Sequence, residues 1–149
     1  MYPYLKIGVK TLQTGKNKNM TRIESQQVAV NKSAEEIYNF ISNFNNFEQL
    51  MPSSVENLET TENTCSFSIK GMPSIRLKIG EKTPFTHVSM VADGGQIEFS
   101  LNCSLEATGD NCKAQLFFEA ELNMMMKMMV EKPLTNFLNL LVDRLKEIN

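Results

Sequence analysis

The C-terminal stretch PLTNFLNLLVDRLKEI, residues 133–148, carries the pattern that decides the fold. Its apolar residues recur with the spacing of an α-helix that buries one face, and they are Leu134, Phe137, Leu138, Leu141, Leu145 and Ile148. A cluster of methionines extends the predicted helix towards its N-terminus: Met124, Met125, Met126, Met128 and Met129. Pro133 should kink this helix or mark a junction between its two segments, because proline has no amide hydrogen to donate.

The region before this helix consists of short segments in which apolar and polar residues alternate, as in strands with one buried face. A first strand is predicted at residues 21–30, and the capping box from Ser33 to Glu36 then begins a helix. A second short helix, at about residues 45–50, ends before Pro52. Further strands are predicted at residues 55–61, 64–70, 74–82, 86–92, 96–107 and 112–122. The dry face of such a sheet needs a cover, and only the C-terminal helix is long enough to provide it.

The overall composition indicates one soluble domain and excludes several classes of function. A chain of 149 residues is long enough for a single core. No stretch approaches the ~18 consecutive apolar residues of a membrane span. The formal net charge is −2, and residues 1–19 contain four lysines and no acidic residue, so the remainder carries −6. A domain this acidic, without clusters of lysine and arginine, is not expected to bind nucleic acid.

Residues 1–19 are predicted to form a flexible basic tail in front of a domain of residues 20–149. Two alternatives remain for this segment: Met20 is the natural initiator, or the segment is a basic arm that contacts an anionic membrane. Three cysteines without a C-x-x-C pair favour a reducing, cytoplasmic location. Together with a single histidine they do not form a zinc set, so neither a metal nor a cofactor is expected.

The sequence offers no convincing catalytic group. His87 is the only histidine, and the alternation of its strand places it on the outer, hydrated side of the sheet. Four glutamates share this outer parity and are read as solvated residues rather than general acids or bases, namely Glu98, Glu106, Glu119 and Glu121. A serine or cysteine nucleophile would need a nearby base, which this histidine does not supply. We therefore predict no catalytic residues and favour a protein that is not an enzyme.

The order of elements resembles the helix-grip fold of the SRPBCC superfamily, which includes START lipid-transfer domains, polyketide cyclase-like proteins and the birch-pollen-allergen group. The resemblance covers residues 21–149 and is carried by residues 23–30, SAEEIY at 33–38, LMP at 50–52 and the terminal helix at 133–148. It implies an α+β fold in which a curved antiparallel sheet of six to seven strands has two short helices after strand one. The long C-terminal helix would pack on the concave face of this sheet, with a deep apolar cavity between them.

The function that this resemblance implies is the binding or carrying of a small hydrophobic molecule that is lipid-, quinone- or polyketide-like. The residues predicted to line the cavity are Met51, Phe67, Ile69, Met72, Leu77, Met90, Phe99, Leu101, Phe118, Met125, Met129, Phe137, Leu138 and Leu141. Two alternatives are an enzyme of the polyketide cyclase or dehydratase type and an interaction module with a filled core. The methionines fit core filling, ligand lining, or an exposed patch that binds a protein partner, because their flexible side chains adapt to varied apolar surfaces.

Overall fold

The computed structural model describes residues 20–95 and 97–148 and contains one antiparallel sheet with helices on its inner face. The strands are β1 (Met20–Glu24), β2 (Val28–Val30), β3 (Val55–Thr60), β4 (Thr64–Ile69), β5 (Ser74–Thr83), β6 (His87–Ala92), β7 (Phe99–Thr108) and β8 (Asn111–Glu121). The helices are α1 (Ala34–Ile41), a short 3-10 helix (Phe44–Gln49) and α2 (Met124–Leu145). The predicted basic tail, residues 1–19, and the predicted strand start at Gln96 lie outside the described residues.

The sheet is an antiparallel meander from β3 to β8 whose last strand returns to pair with the first. Its order is β1-β8-β7-β6-β5-β4-β3, and β2 also pairs with β8. The predicted α+β helix-grip architecture is therefore confirmed, with eight strands rather than six or seven. No helix in residues 20–95 and 97–148 combines the length and apolarity needed to cross a bilayer.

The first strand, predicted to be continuous, is interrupted between β1 and β2. Ile23 pairs with Phe118, and Val28 pairs with Ala114. The first strand therefore contains one more residue between these two pairs than β8 does. This extra residue makes a β-bulge, and Ser25 fixes it to β8. The Leu116 backbone N–H donates to Ser25 Oγ (3.0 Å), and the Ser25 backbone N–H donates to the Leu116 carbonyl (2.8 Å).

Local capping signals set the start of α1 as predicted. The Glu36 backbone N–H donates to Ser33 Oγ (3.1 Å), and the Ser33 backbone N–H donates to Glu36 Oε1 (3.0 Å). The bond that the Ser33 backbone donates favours the carboxylate and, with the nearby Ser33 side chain, lowers the pKa of Glu36. The next helical segment is a 3-10 turn rather than an α-helix, and its two buried side chains, Phe44 and Phe47, are three residues apart. This spacing matches the three residues per turn of a 3-10 helix.

The second half of α2 closes the inner face of the sheet. Its buried residues are Leu134, Phe137, Leu138, Leu141, Val142 and Leu145. Polar bonds tie the same half to the β1–β2 bulge: the Gln26 backbone N–H donates to Asn139 Oδ1 (2.8 Å), and Gln26 Nε2 donates to Asp143 Oδ1 (2.9 Å). The residues of α2 that precede Pro133 are exposed or half-buried. Pro133 thus lies at the predicted junction, inside a helix that continues through it.

Leu141→Asp and Leu140→Asp form a matched pair that tests which face of α2 is buried. Leu141 is 2 % exposed, whereas its neighbour Leu140 is 46 % exposed. We expect Leu141→Asp to lower the free energy of unfolding by at least about 3 kcal/mol, because it buries an unpaired charge. Leu140→Asp should change it by less than about 0.5 kcal/mol. Urea denaturation measures both values, and equal losses would contradict the assigned inner face.

Candidate ligand-binding site

A small apolar cavity lies between the inner face of the sheet and α2, where the sequence predicts one. Its volume is about 10 Å³, which is about the space needed by one water molecule. The wall contains only apolar side chains, contributed by β4, β5, β7, β8 and α2: Phe67, Ile75, Leu77, Phe99, Leu101, Phe118, Leu134, Phe137 and Leu138. The predicted deep cavity is therefore present as a position in the fold, but it is almost completely filled.

Four of the nine wall residues are phenylalanines, and their rings meet in two pairs. Phe67 on β4 meets Phe137 on α2 with ring centroids 5.6 Å apart and a tilt of 33°. Phe99 on β7 stacks on Phe118 of β8 with centroids 5.3 Å apart. Such offset ring pairs stabilise beyond the area they bury. Phe99 and Ile75 are the two half-buried residues of the wall, so the site reaches the surface where β5 and β7 begin.

The structure brings together half of the residues predicted to line a cavity. Those in the wall are Phe67, Leu77, Phe99, Leu101, Phe118, Phe137 and Leu138. Five others pack in the core without lining the cavity: Met51, Ile69, Met72, Met90 and Leu141. These five fill space around the site, which is the core-filling role that methionine and aliphatic residues also suit.

The predicted inward orientation of Met125 and Met129 is wrong. Their side chains are 72 % and 64 % exposed. The residues of this segment that pack on the core are Met126 and Val130. Because the helix repeats every 3.6 residues, counting back from the buried Leu134 in steps of four reaches Val130 and Met126. The prediction was therefore out of phase by one residue.

Two residues of the wall, Ile75 and Leu134, were not among the predicted site residues. Both were detectable from sequence, since Ile75 alternates with Leu77 along β5 and Leu134 lies one turn before Phe137 and Leu138 on α2. Periodicity identifies the face on which a residue lies. It does not identify which residues of that face surround a gap, because this depends on the sizes of facing side chains.

The cavity offers no group for acid–base chemistry, since none of its wall residues is titratable. Two cysteines elsewhere on the inner face, Cys65 and Cys103, are buried. Burial raises the pKa of each thiol to about 12, so both are neutral and poor nucleophiles. Within residues 20–95 and 97–148, no three or more His, Cys, Asp or Glu side chains are placed to hold a metal ion.

His87 lies on the outer side of the sheet, as its parity predicts, but it is half-buried rather than fully at the surface. Its Nε2 lies 2.9 Å from Oδ1 of the buried Asn102. The imidazole is parallel to the Phe117 ring, with centroids 6.2 Å apart, and the Arg22 guanidinium lies 3.7 Å from the Phe117 centroid. Arg22 is also paired with Glu119 (3.2 Å). This polar and aromatic cluster is separated from the cavity by the sheet itself.

A second, larger hollow of about 320 Å³ lies along β3, β4 and β5 and is open to solvent. Its lining is mainly polar and includes Glu59, Thr60, Thr64, Arg76 and Asp93. It lacks the enclosed apolar wall that small-molecule sites typically have. The cavity beneath α2 is therefore the stronger candidate, although its volume is smaller.

Protonation of His87 provides a test of the outer-face cluster. Burial lowers the pKa of His87 from its ordinary 6.5, although Asn102, Glu81 and Glu119 act in the opposite direction. The unfolded chain therefore takes up this proton more readily, and the free energy of unfolding should fall as the pH decreases below 6.5.

We expect urea denaturation at about pH 7.5 and 5.5 to show this loss, and His87→Gln to show a smaller one. Because His87 is the only histidine, its imidazole proton signals in NMR give the pKa directly. A titration midpoint above 6.5, or the same pH dependence in His87→Gln, would contradict the buried environment.

Comparisons with known proteins identify the fold but no close relative. No protein-family model matches the sequence, and no curated protein matches it either. Among solved structures, a point mutant of norcoclaurine synthase from Thalictrum flavum, in complex with a transition-state analogue, aligns with a TM-score of 0.67 and 17 % identity over 86 % of this chain and 92 % of that chain. A START superfamily protein from Mycobacterium smegmatis aligns with a TM-score of 0.61 and 15 % identity over 87 % and 99 %.

A third structure, from Thermus thermophilus, has a TM-score of 0.66 and 13 % identity over 85 % of this chain and 95 % of that chain. These alignments nearly span the compared chains, so the resemblance predicted from the order of elements is confirmed for the fold. At these identities the likeness carries no chemistry with it, and function must be argued from this chain's own residues.

Proposed function

From the helix-grip fold that this chain shares with a START superfamily protein and with norcoclaurine synthase, we propose that it binds a small hydrophobic molecule between the sheet and α2. The observation that carries the proposal is the wall of nine apolar side chains at this position. Ligand sites are typically concave and mostly apolar. The same wall also supports binding over catalysis, because it has no titratable group that could transfer a proton.

The chemistry of the wall limits the class of ligand. A hydroxyl or amide buried there without a partner would cost about 1–3 kcal/mol. The buried part of the ligand is therefore hydrocarbon or aromatic, as in the tail of a lipid or the ring of a quinone or polyketide. Any polar group should remain at the surface beside Ile75 and Phe99, the half-buried residues of the wall.

Binding requires the site to expand, because about 10 Å³ holds no organic molecule. The first half of α2 has fewer contacts with the core than the second half, since only Met126 and Val130 pack against it. The second half is anchored by its buried face and by the bonds from Gln26. We therefore propose that the ligand enters by displacing the first half of α2. Burial of the ligand's apolar surface, at about 25 cal/mol per Å², would offset the free-energy cost of displacing this part of the helix.

The small cavity volume favours a second candidate function, that of an interaction module with a filled core. Such a module would use its surface to bind a protein and would take up no ligand. The free, buried cysteines are compatible with a cytoplasmic location for either function. An enzyme of the cyclase or dehydratase type has less support, since its polar groups would have to come from outside the cavity wall.

Nile red, an uncharged aromatic dye, provides the test, with a variant that fills the site. Ile75→Trp adds an indole to the half-buried edge of the wall, and Ile97→Trp adds one at an isoleucine that is exposed and outside it. We expect the unaltered chain and Ile97→Trp to bind the dye alike. Ile75→Trp should bind at least about tenfold more weakly, a loss of ~1.4 kcal/mol.

Fluorescence titration measures these affinities, and thermal melting confirms that both variants are folded. Absence of dye binding by the unaltered chain would overturn the proposal in favour of the interaction module. Equal binding by Ile75→Trp would also overturn it, because the dye would then be bound elsewhere. Native mass spectrometry of the protein purified from its own host would give the mass of any natural ligand that stays bound.

A further inference from the structure

The first half of α2 presents an apolar surface that the described residues leave uncovered. Four side chains form it, each at least 64 % exposed, and we call them the methionine patch: Met124, Met125, Met128 and Met129. They lie on one side of the helix, since positions three and four apart are neighbours, whereas Met126 and Val130 pack against the core. Contiguous apolar patches of this kind on a soluble domain mark interaction surfaces.

The two ends of the methionine patch carry opposite charges. Glu121, the last residue of β8, precedes the patch, and Lys132 follows it on the same side of the helix. Both residues are exposed. Lys127 and Glu131 add one further charge of each sign, so residues 121–132 carry no net charge. This arrangement favours neither an anionic nor a cationic partner. It favours a partner that presents the same two charges in the reverse order.

A second copy of this chain presents those charges in that order when the two α2 segments lie antiparallel. A two-fold rotation about the middle of the patch places the first and second methionines of one copy against the fourth and third of the other. The same rotation places Glu121 of each copy beside Lys132 of the other, because each residue lies three positions beyond its end of the patch. The surface is therefore self-complementary, as the interface of a two-fold dimer must be.

The apolar area of the patch is close to what a stable dimer needs. A homodimer of standard size buries about 800 Å² on each partner, of which about 65 %, or roughly 500 Å², is apolar. Four methionine side chains that are each at least 64 % exposed provide apolar area of this order. Their flexible side chains can also adapt to one another across the contact. Beyond the patch the same side of the helix becomes polar at Lys132 and Asn136, which ends the apolar surface.

We propose that the methionine patch joins two copies of this chain in a two-fold dimer, with antiparallel α2 segments and Glu121 of each copy beside Lys132 of the other. Removal of both patches from water supplies the free energy of association. The two ion pairs are at the rim, where exposed pairs contribute little affinity. They determine the alignment instead, because a parallel arrangement of the helices would place like charges together.

The dimer would hold the part of α2 that is proposed to move when a ligand enters. A ligand would then enter a copy whose patch has separated from its partner, so dimer formation and ligand binding would weaken each other. This consequence rests on the proposed function. The dimer itself does not, because the patch and the cavity wall share no residue.

Sedimentation velocity of the full chain tests the proposal at tens of micromolar, above the weakest dissociation constants of standard-size interfaces. Leu140→Gln, at an exposed apolar residue of the same helix outside the patch, is the matched control. Two single variants each reverse one charge, Glu121→Lys and Lys132→Glu, and their combination exchanges the two charges. The patch variant replaces all four methionines with glutamine, which keeps side-chain length and helix propensity, and carries Met124→Gln, Met125→Gln, Met128→Gln and Met129→Gln.

We expect the unaltered chain and Leu140→Gln to form dimers with equal dissociation constants. The patch variant should associate at least about tenfold more weakly, because amides replace the apolar area. Each single charge reversal should weaken the dimer about tenfold, since both ion pairs become repulsive. The exchanged charges should restore the affinity to within about threefold, because opposite charges meet again. A cooperative thermal transition confirms that each variant is folded.

An unaltered chain that stays monomeric would overturn the proposal, and binding of that monomer to lipid vesicles through the patch would assign the patch to a membrane. Undiminished association of the patch variant, or exchanged charges that restore no affinity, would also overturn it. The two proposals fail separately. A chain that binds Nile red but does not dimerise overturns the dimer alone, and one that dimerises but binds no dye overturns the ligand site alone. Equal dye affinity of the dimeric chain and the patch variant would contradict only the coupling between them.

Discussion

The structure depends on the apolar contact between the inner face of the sheet and the second half of α2. Alternation gives the sheet an apolar inner face, and the buried residues from Leu134 to Leu145 cover part of it, alongside buried residues of α1 and the 3-10 helix. Removing this area from water is the main favourable term in folding. The same contact also determines where a ligand could bind, because the candidate cavity is a gap within it. It determines where the surface is left apolar as well, because α2 is longer than the face it covers.

The fold was predictable because its signals are local and repeated. Alternating residues identified the strands from β3 to β8, and Ser33 with Glu36 identified the start of α1. The bulge at Ser25 was not predictable, since it is stabilised by bonds to Leu116 on a strand some ninety residues away. The second short helix was predicted, but its 3-10 form was not, because short helical segments with buried residues three apart look similar in α and 3-10 form.

The candidate site was predictable as a face but not as a cavity. Residues such as Phe67, Leu101 and Phe137 were expected to face inward from strand and helix periodicity, and they do. Whether Met90 or Leu77 lines a gap depends on how facing side chains fill the space between them, and periodicity contains no information about this. The error at Met125 and Met129 has a different cause. The helix phase is fixed by its buried second half, and the run of similar side chains before Pro133 gives no phase of its own.

Pro133 has one more mechanical consequence. It has no amide hydrogen, so the carbonyl of Met129 lacks the donor that every other residue at its place in a helix would supply. The helix therefore lacks one backbone hydrogen bond near Pro133, where its anchored second half meets its more exposed first half. If the first half of α2 is displaced, the helix can bend near Pro133. The second half would then keep its bonds to Gln26 and its position on the sheet. Bending at Pro133 would therefore cost only the few core contacts of Met126 and Val130 and would leave the buried second half of α2 in place.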